Sequence, residues 1–249
     1  MNVQAPLRPI RFVGRLGLLA GESAWSISRL RIHLGDLMAQ LREVGINSLP
    51  VVLVTILFSA ATFAYHLQAV VRDLGMRYAV GGLVALAITR EVGPVMCAVC
   101  VIARCGSAMT AELGTMKVTE QIDALRSLSV SPVEYLVVPR LLGTAIMMPV
   151  HYAYGLAIGL LGGIVVGWGG GVTTGMFVTS AAERLRPGDL WGGALKVVLF
   201  GIVIALVCCE RGLQADGGSR GVGRATTSAV VISLLMVYAL NYVIDLCIW

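Results

Sequence analysis

Long apolar runs without charged residues recur along this chain, and they restrict what it can fold into. The clearest run covers residues 50–71 and contains no Asp, Glu, Lys or Arg. A helix needs about 20 such residues to cross the hydrocarbon core of a bilayer. Charged residues make up only 13% of the chain, against about 25% in ordinary soluble domains. The mean hydropathy is +0.84. The sequence therefore predicts an all-α integral membrane protein.

The apolar runs predict five membrane spans separated by more polar segments. We place the spans at residues 50–71, 79–103, 141–168, 194–209 and 228–249. The polar, glycine-rich segments 169–193 and 210–227 are not predicted to span. No segment is long enough for a separate soluble domain, so residues 1–249 are treated as one domain. It consists of an interfacial amphipathic region at 1–45 and a five-span core at 46–249.

The N-terminal region has the pattern of a helix that lies in the membrane interface. Arg8, Arg11 and Arg15 recur at spacings of three and four, which places them on one helical face, and Phe12 contributes to an apolar face. Trp25 suits the depth of the lipid headgroups. A soluble helix packed on its own loops remains the alternative.

The distribution of positive charge predicts the orientation. With the N-terminus in the cytoplasm, the inner segments hold 13 Lys and Arg residues, whereas the outer loops hold four: Arg72, Arg77, Arg184 and Arg186. Cytoplasmic loops of membrane proteins are enriched in Lys and Arg. The N-terminus is therefore predicted to be cytoplasmic and the C-terminus to lie outside.

Glu91 is an ionisable residue inside a predicted span. Such a side chain is costly in a membrane and usually faces a cavity or a partner. Its neighbour Arg90 does not face it in a helix, and Pro94 leaves the carbonyl of Arg90 without its helical donor. We predict that Arg90, Glu91, Val92 and Pro94 line a transport pathway. A purely structural ion pair is the alternative.

A short polar helix is predicted over residues 118–128, on the cytoplasmic side. Ile122, Leu125 and Leu128 recur every three residues on one face, whereas Glu120 and Asp123 lie elsewhere. An amphipathic helix of this kind can dock in a groove of a partner protein. It can equally rest on its own subunit, and the pattern does not separate the two.

Glycines recur every four residues in the third span, at Gly155, Gly159, Gly163 and Gly167. Small residues at this spacing let membrane helices approach closely. The stripe predicts either tight packing within one subunit or an interface between two copies.

Several classes of site are not supported by the sequence. Cys97 and Cys100 form a CxxC, but no second pair or nearby histidine completes a metal site. The segment from Gly221 to Ala225 lacks the lysine of a phosphate-binding Walker motif. No basic tract lies beside aromatic residues, so nucleic acid is not an expected partner. No cofactor is expected in this chain.

Four segments of the sequence, REVGPV, AELGTMKVTEQIDAL, SPVEYLVVPR and GVGRATTSAVV, closely resemble the MlaE/YrbE permease family of ABC lipid transporters. The resemblance covers roughly residues 40–249. It implies a homodimeric permease with five spans, an interfacial helix and a fold like that of ABCG-type exporters. The family's acidic residue falls on Glu91. Its coupling helix falls on Thr119, Glu120, Ile122, Asp123, Leu125 and Leu128.

The resemblance also implies partners and a cargo. A separate cytoplasmic ATPase pair would bind ATP and magnesium, and a periplasmic MCE-domain protein would carry the lipid, in some members with a STAS-domain subunit. The usual cargo is phospholipid moved between the inner and outer membranes, which maintains outer-membrane lipid asymmetry.

We therefore expect a multi-pass permease of the inner membrane that is not itself an enzyme. A permease for sterol or other hydrophobic cargo is one alternative, and a membrane anchor for MCE carriers is another. An intramembrane lipid enzyme would need a nucleophile and base or a metal, and Glu91 alone does not supply these.

Overall fold

A computed structural model describes residues 8–29, 34–73 and 75–248, without the side chains of residues 8–10 and 72. Within these ranges the chain is helical and contains no β-strand. The α-helices are α1 (Arg8–Ser28), α2 (Leu34–Leu41), α3 (Leu49–Asp73), α4 (Val80–Ala87), α5 (Gly93–Val101), α6 (Ser107–Val118), α7 (Gln121–Ser127), α8 (Val138–Gly169), α9 (Thr174–Arg184), α10 (Pro187–Leu213) and α11 (Gly218–Ile248).

Short π-helical turns interrupt the long helices. They cover Arg42–Ile46, Ile88–Val92, Ile102–Gly106 and Val133–Val137. Each of the four turns carries at least one charged residue, for example Glu91 in the second. A π-turn inserts an extra residue into a helix and frequently marks a functional site. Two such turns lie within the continuous helical stretch that contains α4, α5 and α6.

The five predicted membrane spans are confirmed as helices long and apolar enough to cross a bilayer. They run over Leu34–Val71, Arg77–Val118, Val133–Gly169, Pro187–Leu213 and Gly218–Ile248. Every one is longer than the sequence pattern predicted, because hydropathy marks the part in the hydrocarbon core and not the turns that continue into the headgroup layer.

Three segments outside the predicted spans are also largely helical. Residues 34–45, assigned to the interfacial region, form α2 and most of the first π-turn and lead directly toward α3. The segment 210–227 is mostly helical, since α10 continues to Leu213 and α11 begins at Gly218. The segment 169–193 contains α9, which begins after Thr173, whose side chain accepts a hydrogen bond from the backbone N–H of Met176. Phe177 of α9 is buried, so this helix packs on the bundle.

The connections define two ends of the bundle. We call the end that holds α7 and the α10–α11 connection the α7 end, and the end that holds α9 and the last turn of α11 the α9 end. Helix α1 lies at the α7 end, where Arg15 forms an ion pair with Glu210 of α10 at 3.1 Å. Leu19 of α1 is buried, whereas Leu18 and Trp25 are exposed. This distribution fits an interfacial helix; the side chain of Arg8 lies outside the described part of α1.

The glycine stripe of α8 faces other helices of the same chain. A Cβ atom added at Gly159 would contact Ile56 and Ala60 of α3, and one at Gly163 would lie 3.0 Å from Val84 of α4 and from Phe177 of α9. A Cβ at Gly155 would likewise meet Ile56, and one at Gly167 would meet Val172. The absence of side chains at these positions therefore permits close packing inside the subunit.

Helix α11 is the least covered of the five spans, because only 22% of its most apolar stretch is buried against the rest of the protein. Its exposed side chains recur at spacings of three and four residues along its length. They include Arg220, Arg224, Thr227, Val231, Leu235, Tyr238, Tyr242 and Leu246. These positions form one continuous face, which we call the open face of α11.

We predict that Gly163→Leu destabilises the single subunit, because the added atoms would overlap Val84 and Phe177 at contacts that are already close. Overpacking of this kind costs about 1–3 kcal/mol. Thermal unfolding of the detergent-purified protein measures the effect. Gly169→Leu is the matched control in the same helix, since a Cβ there meets nothing within 4 Å. Equal melting temperatures for the two variants would contradict the packing described above.

Candidate functional site

A buried lysine organises the charged residues in the membrane part of the bundle. Lys196 of α10 has no exposed surface. Its Nζ atom lies 2.7 Å from Oε1 of Glu91 and 2.5 Å from Oδ1 of Asp245. It also donates a hydrogen bond of 2.9 Å to the backbone carbonyl of Arg90. One ammonium group therefore joins the π-turn Ile88–Val92, α10 and α11.

Pro94 explains why that carbonyl is available. Proline has no N–H, so the backbone carbonyls four and five residues before it lose a helical donor. Side chains supply the missing donors: Lys196 donates to the carbonyl of Arg90, and the Tyr152 hydroxyl donates to that of Thr89 at 2.8 Å. Gly193 leaves room for this contact, because a Cβ there would lie 2.0 Å from the Tyr152 oxygen.

Two residues one turn apart on α11 complete the arrangement around Glu91. Nδ2 of Asn241 donates to Oε2 of Glu91 at 2.9 Å and to Oδ2 of Asp245 at 3.3 Å. The two carboxylates are thus held by Lys196 on one side and by Asn241 on the other. A charged group in a membrane span is tolerated when it is paired in this way.

Arg90 points to a different partner from Glu91, as expected for adjacent residues in a helix. Its Nε and Nη2 atoms donate to Oδ1 of Asp189 at 3.0 and 2.7 Å. Asp189 is fully buried and also accepts a hydrogen bond from the backbone N–H of Arg186. We use the name polar cluster for Arg90, Glu91, Asp189, Lys196, Asn241 and Asp245.

The polar cluster is open on one side only. The Glu91 side chain is 47% exposed and that of Asp245 is 27% exposed, whereas Lys196 is enclosed. All three residues lie in the half of their helices nearer the α9 end. Val92 is half-buried and Pro94 is buried beside them. The carboxylate edge of the cluster therefore lies next to the open face of α11.

The four partners of Arg90 and Glu91 in this cluster were missed from the sequence. A signal was present, because Lys196 and Asp245 are ionisable residues inside predicted spans, as Glu91 is. Asp189 lay in a segment predicted to be a loop. Asn241 has no charge and gave no signal of its own.

The second candidate element is α7, which lies outside the spans. Glu120 and Ser129, on either side of it, have φ angles of 61° and 59°. Residues other than glycine adopt this left-handed conformation at a cost of about 1–2 kcal/mol. Strained backbone persists when the surrounding structure fixes it, and it often occurs at functional elements.

The apolar residues of α7 point in different directions. Ile122 is fully buried in a cluster with Leu113 of α6 and Leu206 of α10, and Leu125 packs partly against the same cluster. Leu128, which was predicted to share their face, is 73% exposed. The helix is shorter than predicted, since α6 continues to Val118, and it turns at Leu128.

An ion pair holds α7 against the end of α6. Lys117 of α6 lies 2.9 Å from Asp123 of α7, and Arg126, also in α7, lies 3.3 Å from the same carboxylate. The hydrogen bond from Lys117 holds the pKa of Asp123 below its usual value. Thr119 donates to the carbonyl of Thr115 in the connecting turn. The structure therefore presents Leu128 on an anchored element.

An open cavity of about 980 Å³ lies beside α11 at the α7 end. Arg220 and Arg224 line it together with Thr227 and the apolar side chains of Val231 and Ile232. One part of the cavity lining is therefore cationic, and the part next to it is apolar. Across the described ranges, no group of three or more His, Cys, Asp or Glu side chains is placed to hold a metal. Cys97 and Cys100 are buried thiols.

Comparison with known proteins identifies the relatives of this chain. The profile of the permease family MlaE matches residues 37–247. A probable ABC transporter permease of Rickettsia conorii is 38% identical over 241 residues, which cover 95% of this chain and 93% of that protein. A probable ABC transporter permease of Synechocystis is 36% identical over 225 residues, or 90% of this chain and 86% of that protein. The chloroplastic protein TRIGALACTOSYLDIACYLGLYCEROL 1 of Arabidopsis thaliana is 33% identical over 241 residues, or 95% and 69%.

We predict that Lys196→Met lowers stability, because it leaves Glu91 and Asp245 facing each other without a cation. Removing one partner of a buried ion pair costs about 3–5 kcal/mol, and the exposure of Glu91 places the effect at the lower end. Thermal unfolding in detergent measures the loss. Lys117→Met is the control, because its pair with Asp123 is on the surface, where ion pairs are screened by solvent and contribute little to stability. If both variants melt together, the pairing of Lys196 is not a stabilising feature.

Proposed function

The chain belongs to the MlaE family of ABC transporter permeases, and on that premise we propose that it moves phospholipid, or a related lipid, between the inner membrane and a carrier outside it. In this proposal it exchanges the lipid with a periplasmic MCE-domain carrier, and a separate cytoplasmic ATPase pair binds ATP and magnesium. The observation that carries the proposal is the polar cluster beside the open face of α11, within an otherwise apolar span.

Polar and apolar groups follow one another along the open face of α11 in the order expected of a surface that binds an amphiphile. Arg220 and Arg224 lie at the α7 end, Val231 and Leu235 follow in the middle, and the polar cluster lies toward the α9 end. Apolar side chains accommodate acyl chains, and polar groups at either end suit a headgroup. A lipid could therefore be held along this face at more than one depth.

A second copy of the permease would cover this face. Most of the apolar part of α11 is not buried against other helices of the chain, so it is available to pack against another subunit. Two copies related by a two-fold axis would each present the same face to a shared chamber. The glycines of α8 remain inside each subunit in such an assembly, because they already contact α3, α4 and α9.

Helix α7 offers a route by which an ATPase could drive the chamber. Leu128 is the exposed apolar side chain available for a groove on the ATPase. Ile122, earlier in the same helix, is buried in a cluster that includes residues of α6 and α10. Helix α10 also carries Lys196, nearer the α9 end. A displacement of α7 caused by the ATPase would therefore be transmitted through packed side chains to the helix that carries Lys196.

The proposed roles of α7 and the polar cluster also imply an orientation of the protein in the membrane. The ATPase must meet the α7 end, so that end is placed in the cytoplasm, in agreement with the distribution of Lys and Arg. The carrier would then meet the α9 end on the periplasmic side, with a STAS-domain subunit joining the ATPase in some assemblies. The name of the Arabidopsis relative contains that of a galactolipid, which supports a lipid as the class of cargo.

We expect Leu128→Asp to separate the permease from its ATPase, because it would place an unpaired charge in an apolar docking groove. Binding should fall by at least about tenfold, which corresponds to about 1.4 kcal/mol. Pull-down of the ATPase and lipid-dependent ATP turnover are the measurements. Ser219→Asp adds the same charge at the same end of the bundle and serves as the control. Normal coupling in Leu128→Asp would show that α7 is not the contact.

Glu91→Gln is predicted to reduce lipid transfer without unfolding the protein. Lys196 would keep Asp245 and the carbonyl of Arg90, so its charge would remain compensated. Transfer between vesicles by the reconstituted complex should fall by about tenfold, equivalent to about 1.4 kcal/mol, with an unchanged melting temperature. Glu183→Gln is the control, as that carboxylate is exposed and accepts from Tyr78 outside the polar cluster. Transfer at the rate of the control would remove Glu91 from the pathway.

A further inference from the structure

The polar cluster carries more negative than positive charge. It contains two cations, Arg90 and Lys196, and three carboxylates, those of Glu91, Asp189 and Asp245. Arg90 is paired with Asp189 through two N–H groups. The excess negative charge therefore lies around Lys196, because this one cation faces two carboxylates, those of Glu91 and Asp245.

Lys196 is surrounded by oxygen atoms of its own chain. Its Nζ atom donates hydrogen bonds to Oε1 of Glu91 and to the carbonyl of Arg90, and it forms an ion pair with Oδ1 of Asp245. The side chain is also enclosed. A lysine in a lipid pathway would ordinarily be taken as a phosphate ligand, but this one is already engaged on all of these sides and has no exposed surface.

The atoms with remaining capacity are hydrogen-bond acceptors. The amide of Asn241 is oriented by its two bonds, since Nδ2 must face the carboxylates of Glu91 and Asp245. Its Oδ1 atom is consequently turned away from them, and it is shielded from solvent without a hydrogen-bond donor in the described part of the chain. A shielded carbonyl without a donor is costly, and a ligand N–H would satisfy it.

The solvent-exposed groups of the polar cluster are its carboxylates. The side chains of Glu91 and Asp245 are partly exposed, whereas the Lys196 ammonium that balances them is enclosed. The other polar groups nearby are engaged inward: the backbone N–H of Arg186 donates to Asp189, and the hydroxyl of Tyr152 donates to the carbonyl of Thr89. A ligand that approaches along the open face of α11 therefore meets carboxylate oxygens first.

We propose that Glu91, Asn241 and Asp245 recognise a primary ammonium group on a lipid headgroup, such as that of ethanolamine. An ammonium brings the positive charge that the cluster lacks and several N–H donors for its acceptors. Headgroups without an amine offer no such charge, and a quaternary ammonium offers no N–H. The inference rests on the proposed lipid-permease function and specifies which headgroups its site prefers.

The test is a competition between headgroups on the purified full-length protein. Native mass spectrometry in detergent counts the lipids retained from an equimolar mixture of phosphatidylethanolamine, phosphatidylcholine and phosphatidylglycerol with identical acyl chains. Phosphatidylethanolamine should be enriched about fivefold over phosphatidylglycerol, the factor expected for one partly exposed ion pair. Asp245→Asn removes the excess charge but leaves Lys196 paired with Glu91, so the ratio should fall to about one.

Glu183→Gln is the matched control, and it should keep the wild-type ratio. Equal retention of the three lipids by the wild type, or an unchanged preference in Asp245→Asn, would overturn the headgroup assignment and leave the permease function standing. Failure to retain any lipid would instead count against the proposed function itself. Complete loss of the preference when free ethanolamine is added only at the lipid concentration would show that the site binds a small amine far more tightly than the lipid, and would overturn the assignment to a lipid headgroup.

Discussion

The enclosed ammonium of Lys196 is the constraint on which the membrane part of this structure depends. An unpaired charge cannot remain in such a place, so two other elements must bring oxygen atoms to it. The π-turn Ile88–Val92 and Pro94 supply Glu91 and the carbonyl of Arg90. Helix α11 supplies Asp245. These requirements fix the register of the second, fourth and fifth spans against one another.

The same constraint connects the membrane site to the α7 end. Helix α10 carries Lys196 in its first half, and Leu206 in its second half belongs to the same buried cluster as Ile122 of α7. In the proposed coupling, a displacement at Ile122 would act on α10 through this cluster. The left-handed residues Glu120 and Ser129 hold α7 at a fixed angle. Coupling can therefore pass through packed contacts that already exist in one chain.

The sequence predicted what depends on local pattern and missed what depends on packing. Five spans and the short helix before Leu128 follow from hydropathy and periodicity, which are properties of neighbouring residues. The freed carbonyl of Arg90 followed from Pro94 alone. The partners of Glu91 did not, since Lys196 is 105 and Asn241 150 residues away. The direction of Leu128 was missed because the strained turn at Ser129 is not visible in the spacing of apolar residues.

The polar cluster also restricts how the permease can move. Separation of α10 from α11 near Asp245 would leave the Lys196 ammonium with an incomplete shell, and breaking a buried ion pair costs several kcal/mol. Helices α10 and α11 are therefore expected to move as one body with the π-turn that carries Glu91. In the part of the chain that the structure describes, no ion pair joins the open face of α11 to another helix. If the proposed pathway runs along this face, access to it is most easily changed there, while the polar cluster stays intact.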